Sequence, residues 1–478
     1  MTERHVDVAI LGAGTAGMAA YREALTFTRN VALIDGGDLG TTCARVGCMP
    51  SKLLIAPADL RHHCHHFDAF GLRGQVPDVD GRAVMERVRA ERDRFVGFVI
   101  DAVNGFEQSH IIRQNAVFLD DHSLQLGDGS TLKADRIIIA VGSRPNVPPP
   151  FQAVGDRLIV NDDLFYFEDL PGSVAVFGAG VIGLELCQAL HRLGVRVRLF
   201  GKGDLVGPLT DPKVRAYAMN TFKAEYPFLP DGDVTEIARD GDEVVITYAG
   251  ETGAVTERFD YLLAATGRRA NVDGLHLDRT SLDLDARGVP LYNPLSMRCG
   301  DSHIFIAGDA VPDVPLLHEA ADEGRLAGEN AGRYPEVYKR TRRVGLSIVF
   351  SDPQIAMAGR TYKELKEAGV DFAIGEVSFE DQGRSRVMLV NKGLLRVYGE
   401  HDTGALLGAE MIGPSAEHLA HLLAWVIDQK MTVPDTLQLP FYHPVIEEGL
   451  RTALRELNKD LGMGPQPPLR CIDCGPGG

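Results

Sequence analysis

In "TTCARVGCMPSK", residues 41–52, Cys43 and Cys48 stand with four residues between them, Arg45 among these, and Lys52 just behind. Two thiols so placed can clip a metal, pack inertly, or form a reversible disulfide that moves electrons. A structural zinc site usually needs four ligands, often as C-x-x-C pairs; here the gap is longer and no second pair stands nearby. Inert burial leaves the neighbouring cations unexplained, because positive charge favours thiolate, the form that exchanges with disulfides. A redox pair accounts for spacing, place and charge together. A base near pH 7 would serve such exchange, and His is the side chain suited to it. Taken alone, His443-Pro444 in the late phrase "HPVIEE" reads as a turn histidine.

These residues need a scaffold, and the chain repeats one. "VAILGAGTAGMAA" from Val8 and "VAVFGAGVIGLELC" from Val174 each run a β-branched strand into G-x-G-x-x-G and a helical pattern. In such a unit the first glycine permits the tight turn and the second lets backbone approach a pyrophosphate. The third lets the helix pack on the strand, with its N-terminus facing the phosphate. The first set is Gly12, Gly14 and Gly17; the strand "VALIDGG" follows and ends in Asp35, placed where an acid grips a ribose. The second is Gly178, Gly180 and Gly183, followed by "VRVRLF". Two complete units imply two bound dinucleotides, and the redox pair follows the first of them closely.

The predicted class is α/β, with two Rossmann-like dinucleotide-binding domains and a C-terminal α+β domain. Residues 1–150 form the first segment of one nucleotide domain, ending in "RIIIAVGSRPNVPPP"; residues 151–273 form the second, closing on "YLLAATGRRAN" with Gly267 near a ligand. Residues 274–343 complete the first domain, where "IAGDA" sets Asp309 at a strand end, suited to a sugar or polyol hydroxyl. Residues 344–478 form the last domain, with alternating strands such as "GLLRVYGE" and the amphipathic helix "PSAEHLAHLLAWVIDQK". The net charge of −17 speaks against nucleic acid and anionic membranes. No apolar run reaches the ~18 residues of a membrane span. Seven scattered cysteines and a start that enters a strand directly point to the reducing cytoplasm.

The two glycine fingerprints, "TTCARVGCMPSK", "AVGSRP", "ATGR", "IAGDA" and "FYHPVIEE", in this order and across essentially the whole chain, resemble the flavoprotein disulfide reductases. That family includes dihydrolipoamide dehydrogenase, glutathione reductase and mercuric reductase. The resemblance implies FAD in the first cradle, NAD or NADP in the second, and a homodimer made by the last domain. It makes Cys43 the interchange thiol, Cys48 the flavin-side thiol, and His443 with Glu448 a catalytic dyad reaching the other subunit. Lys52 and Glu185 correspond to an ion pair near the flavin; Asp35, Ala116, Gly142, Asp309 and Leu317 to FAD contacts; and Gly201, Lys202 and Gly267 to the nicotinamide dinucleotide site. The implied substrate is a small dithiol or disulfide, or a lipoyl domain.

Within the family, "GAGVIGLEL", with Gly183 and with Val181 where glutathione reductases place a Tyr, is most like dihydrolipoamide dehydrogenase. Other members reduce another disulfide or Hg²⁺ with NADPH, and a largely structural subunit of a lipoyl complex is a further reading, one that has no use for intact thiols and dyad. Gly201 takes the place of the usual ribose-binding Glu, which with Lys202 opens the site to a 2′-phosphate. Arg45 and Thr41 replace the usual Asn and Gly, and Arg45 is placed to depress a thiol pKa. Cys471 and Cys474 form a C-x-x-C on a Gly/Pro tail, either incidental or a relay. The run "RHHCHHF" reads as a solvated helix face, and Cys187 and Cys299 as small apolar residues.

Overall fold

A computed structural model of the chain describes residues 4–250, 252–311 and 316–463. Strand Arg4–Leu11 lies between Val31–Ile34 and Thr131–Ile139, all parallel, inside a nine-stranded sheet. Its last parallel member arrives from far along the chain: Ile304–Ile306 pairs with Thr131–Ile139 at Ile304↔Ile137. The first cradle is therefore finished by residues that follow the second. The second sheet has five parallel strands, with Ser173–Phe177 between Arg196–Phe200 and Tyr261–Ala264. Every residue of Ser173–Phe177 is buried, as parallel strands covered on both faces are.

The repeat seen in the sequence is a repeat in atoms. A Cβ added at Gly12 would lie 2.3 Å from Ala140 O, and one at Gly178 would lie 2.3 Å from Ala265 O. At Gly17 and Gly183 it would lie 1.8 Å from the carbonyls of Gly12 and Gly178. At Gly14 and Gly180 it would meet nothing within 4 Å. Two glycines of each cradle are thus demanded by packing. The middle one keeps open a space beside the helix N-terminus, where neither Thr15–Ala24 nor Val181–Arg192 has a side-chain cap. Helix Thr15–Ala24 then packs on Leu317–Arg333, where a Cβ at Gly324 would stand 2.2 Å from Ala16 O.

The C-terminal sheet has five antiparallel strands, Leu346–Val349, Gln354–Gly359, Leu406–Gly413, Leu394–Glu400 and Phe372–Ser378 in that order. The expected alternation of "GLLRVYGE" does not give one wet face. Leu395 and Val397 join the core made with helices Ala416–Asp428 and Glu447–Leu461. Arg396 and Tyr398 instead bond to Asp211 at 2.7 and 3.0 Å, on the second nucleotide unit. Glu410, fully buried, accepts the amides of Thr210, Asp211 and Tyr362. Both faces of the sheet are covered because the second lands on another part of the chain. Among the described residues no helix is long and apolar enough to cross a membrane.

A methyl at Gly324 must push two helix backbones apart, an overpacking cost of about 1–3 kcal/mol. Gly324→Ala is therefore expected to lower the thermal unfolding midpoint by several degrees, whereas Gly97→Ala, inside helix Gly81–Asn104 with open space at its Cβ, does not lower it.

Candidate active site

Cys43 lies in the short helix Thr42–Val46, and Cys48 opens the helix Cys48–His63. The turn before them is strained: Thr41 sits at φ 58°, a region that suits glycine, and its hydroxyl accepts the Ala44 amide at 3.3 Å. The thiols are free and hydrogen-bonded to each other. That bond divides them. Cys48 is pulled down to about 7 by the hydrogen bond from Cys43 and by the Lys52 charge, against the cost of burial. Cys43 is pushed well up, first because its thiol is the donor to Cys48 and then by burial. The stored thiolate is thus on Cys48, at a helix N-terminus that favours negative charge.

Lys52 stands one turn behind Cys48. Its Nζ bonds both oxygens of Glu185 at 3.0 and 2.9 Å and lies 4.4 Å from the Phe350 ring centre. Glu185 is 4% exposed and also accepts the Phe350 amide at 2.9 Å. Lys52 and Glu185, far apart in sequence, are brought together as expected. Phe350 carries no sequence signal for this role. Arg45 departs from expectation. Its guanidinium turns away to the Asp38 carbonyl at 3.0 Å and the Asp38 carboxylate at 3.3 Å. Lys52 is the side-chain cation that lowers Cys48.

Around the first cradle, Asp35 accepts the amides of Ala13 at 2.7 Å and Gly37 at 2.8 Å. Ala116 opens a strand whose preceding residue, Asn115, crowds Gly36. Asp309 accepts the Ser143 hydroxyl at 3.1 Å, and Ser143 Oγ takes Arg268 Nε at 2.9 Å, so the antiparallel pair Ser143–Pro145 and Arg268–Ala270 meets the turn after Ile304–Ile306. Gly142 and Gly267 both face open space. Leu317, half exposed, begins helix Leu317–Arg333. In the second cradle Gly201 follows the strand Arg196–Phe200 and Lys202 is exposed. Two uncapped helix ends with an open middle glycine fit two pyrophosphates.

His443 and Glu448 meet. Nδ1 lies 2.9 and 3.1 Å from the two carboxylate oxygens, and Glu448 also accepts the Val445 amide at 3.2 Å. The carboxylate is buried in the first turn of Glu447–Leu461, while 55% of the His443 side chain is exposed. Nε2 has no hydrogen bond among the described residues, so the ring has one nitrogen anchored and one left for chemistry.

Cys187 and Cys299 are fully buried and pushed up by burial, Cys299 to about 12. The run "RHHCHHF" is only partly a solvated face. Its helix stops at His63 and continues as a tighter turn, which sets His62 near His65, tilted, and His66, edge-on, at 6.0 and 5.6 Å between ring centres. Burial lowers His62 to about 4, and the nearby Arg192 charge adds to this. No group of three metal-ligating side chains exists among the described residues. Cys471 and Cys474 lie outside the described residues.

The profile of the pyridine nucleotide-disulphide oxidoreductase family matches residues 6–324, and that family's dimerisation domain matches residues 346–454. The chain belongs to this family. It is 29% identical to a dihydrolipoyl dehydrogenase of Bacillus subtilis over 94% of this chain and 98% of that one. It is also 29% identical to a mercuric reductase of Shigella flexneri, over 95% and 81%. Among solved structures it shares its fold with LpdA from Mycobacterium tuberculosis, at TM-score 0.79, 23% identity and 96% and 100% coverage. The HOCl-induced flavoprotein disulfide reductase RclA from Escherichia coli aligns at TM-score 0.78, 21% identity and 94% and 99% coverage. The protein is a flavoprotein disulfide oxidoreductase that uses FAD and NAD(P).

With Cys48 lowered to about 7, it is mostly thiolate above that pH and mostly thiol below it. In the reduced enzyme, thiolate ultraviolet absorbance is expected to rise with a first midpoint near 7, and Lys52→Met is expected to move that midpoint upward. A first midpoint at the ordinary thiol value in both forms would contradict the assignment.

Proposed function

We propose that the enzyme oxidises a small dithiol of the dihydrolipoamide type and passes the electrons to NAD⁺. The observation that carries this is the division of labour between the thiols, with the charge stored on Cys48 beside Lys52 and the neutral thiol on Cys43. The dyad is a matching base, and the last domain's dimerisation match supports its delivery from one chain to the thiols of the other. The Bacillus subtilis relative and Val181 favour the dihydrolipoamide substrate.

Turnover begins with the Cys43–Cys48 disulfide. His443 Nε2 takes the proton of a substrate thiol, and the Glu448 carboxylate on Nδ1 fixes the tautomer and steadies the imidazolium. The substrate thiolate attacks Cys43 Sγ; an S–S bond to Cys43 forms, the Cys43–Cys48 bond breaks, and Cys48 leaves as thiolate, stabilised by Lys52. His443 gives its first proton to solvent and takes that of the second substrate thiol. This thiolate attacks the substrate sulfur of the mixed disulfide, the cyclic disulfide departs, and the released Cys43 thiolate takes that second proton from His443. Bound FAD and NAD⁺ supply the two-electron path out of the dithiol. Gly12, Gly14 and Gly17, with Asp35 and Asp309, would hold the first, and Gly178, Gly180 and Gly183 the second.

A second reading is reduction of a different disulfide or of a metal ion, favoured by the mercuric reductase relative and by the Cys471/Cys474 pair. Anaerobic turnover with dihydrolipoamide and NAD⁺, followed by NADH absorbance, separates them. The expected result is rapid NADH formation, abolished in Cys43→Ser, reduced about 10²–10⁴-fold in His443→Gln, and kept when the chain stops before Cys471. No NADH from dihydrolipoamide, with flavin that NADPH reduces, would overturn the dehydrogenase reading.

A further inference from the structure

The acid that grips a ribose in the first cradle has no counterpart at Gly201, yet the structure carries a carboxylate to the same place by another route. The two cradles can be superposed bond by bond. The amide of Gly12 donates to Ile34 O at 2.7 Å, and that of Gly178 to Phe200 O at 2.8 Å. The amide of Asp35 donates to Ile112 O at 3.0 Å, the last residue of the next strand, and that of Gly201 to Leu229 O at 2.8 Å, again the last residue of the next strand. Gly201 is therefore the structural equivalent of Asp35. Two residues on, the Gly37 amide donates to Asp35 Oδ1 at 2.8 Å. The equivalent amide, that of Gly203, donates at 2.9 Å to Oδ1 of Asp231.

Asp231 comes from the loop after the neighbouring strand Phe228–Leu229. That loop fills the room a side chain at 201 would need: a Cβ there would lie 2.9 Å from Pro230 O and 3.1 Å from the Phe228 ring. An acid at 201 is excluded by the same segment that supplies Asp231. The Asp35 carboxylate spends its second oxygen on Ala13. Asp231 Oδ2 makes no hydrogen bond among the described residues, and the side chain is exposed.

We propose that Asp231 is the ribose-binding acid of the second cradle and makes the enzyme select NAD(H) over NADP(H). This rests on the second cradle holding a nicotinamide dinucleotide. One carboxylate oxygen is oriented by Gly203, leaving the other to accept the vicinal ribose hydroxyls. A 2′-phosphate would meet that negative charge despite Lys202 nearby.

The test is calorimetric titration of the oxidised FAD-loaded enzyme with NAD⁺ and with NADP⁺, which reads binding without turnover. Wild type is expected to bind NAD⁺ more tightly than NADP⁺. Asp231→Asn is expected to weaken NAD⁺ by about tenfold or more, because a hydrogen bond to a charged acceptor is lost, and to narrow the preference; Asp231→Glu should restore part of it. Unchanged constants in Asp231→Asn would overturn the proposal, as would a wild-type preference for NADP⁺ that Lys202→Ala removes. Failure of wild type to bind either nucleotide would overturn the cradle reading and the proposal with it, a result distinct from both.

Discussion

Much of the molecule hangs on how the redox helix is clamped to the second nucleotide helix. Two charged rungs do this. In the first, Lys52 meets Glu185, which also holds the Phe350 amide. In the second, two turns further along both helices, Asp59 meets Arg192 at 2.7 Å, and Arg192 holds Asp352 at 3.0 Å and Glu225 at 2.6 Å. The polarity reverses between the rungs, cation to acid and then acid to cation. A slip that moved one rung onto the other would set like charges together, so the pair of rungs fixes register as well as contact. Glu185 and Arg192 are 4% exposed each. Charges so buried are costly unless paired, and losing one partner of such a pair costs about 3–5 kcal/mol.

The clamp has a chemical consequence. Lys52 is held by its carboxylate partner within one turn of Cys48, and a fixed cation at that distance favours thiolate there. The same interaction that joins three stretches of chain thereby decides which thiol stores negative charge. The remaining work is delegated to loops at strand ends. Ser143 and Arg268 meet on the antiparallel pair Ser143–Pro145 and Arg268–Ala270, and Asp309 reaches Ser143 from the turn after Ile304–Ile306. The dyad is built locally, by a turn that folds His443 back on the first turn of its following helix.

The sequence made some of this legible and hid the rest for physical reasons. The glycine cradles could be read because each glycine has a steric or electrostatic duty at a fixed spacing. The thiol pair could be read because both partners sit within one short segment, whereas the dyad came from family resemblance. Lys52 with Glu185 came from family resemblance, since nothing local ties residues so distant. Phe350, Arg192 and Asp231 were missed for the same reason, as their roles arise only when separate strands are laid side by side. Arg45 misled because nearness in sequence was taken for nearness of charge, while the guanidinium found Asp38 instead. "GLLRVYGE" could be read as an alternating strand, but sheet alternation cannot tell solvent from a second domain that brings its own polar partners.

The most direct measurement is a double-mutant cycle on Lys52→Met and Glu185→Leu, followed by thermal unfolding of the FAD-loaded enzyme. Lys52→Met leaves the buried Glu185 charge without its partner, and Glu185→Leu leaves the half-buried Lys52 charge without its own. Each is expected to lower the midpoint, Lys52→Met the more, while the double variant recovers much of the loss, because neither charge then remains. Single losses that simply add in the double variant would mean that the pair is not a unit, and would contradict the view that this contact fastens the redox helix to the nucleotide domain.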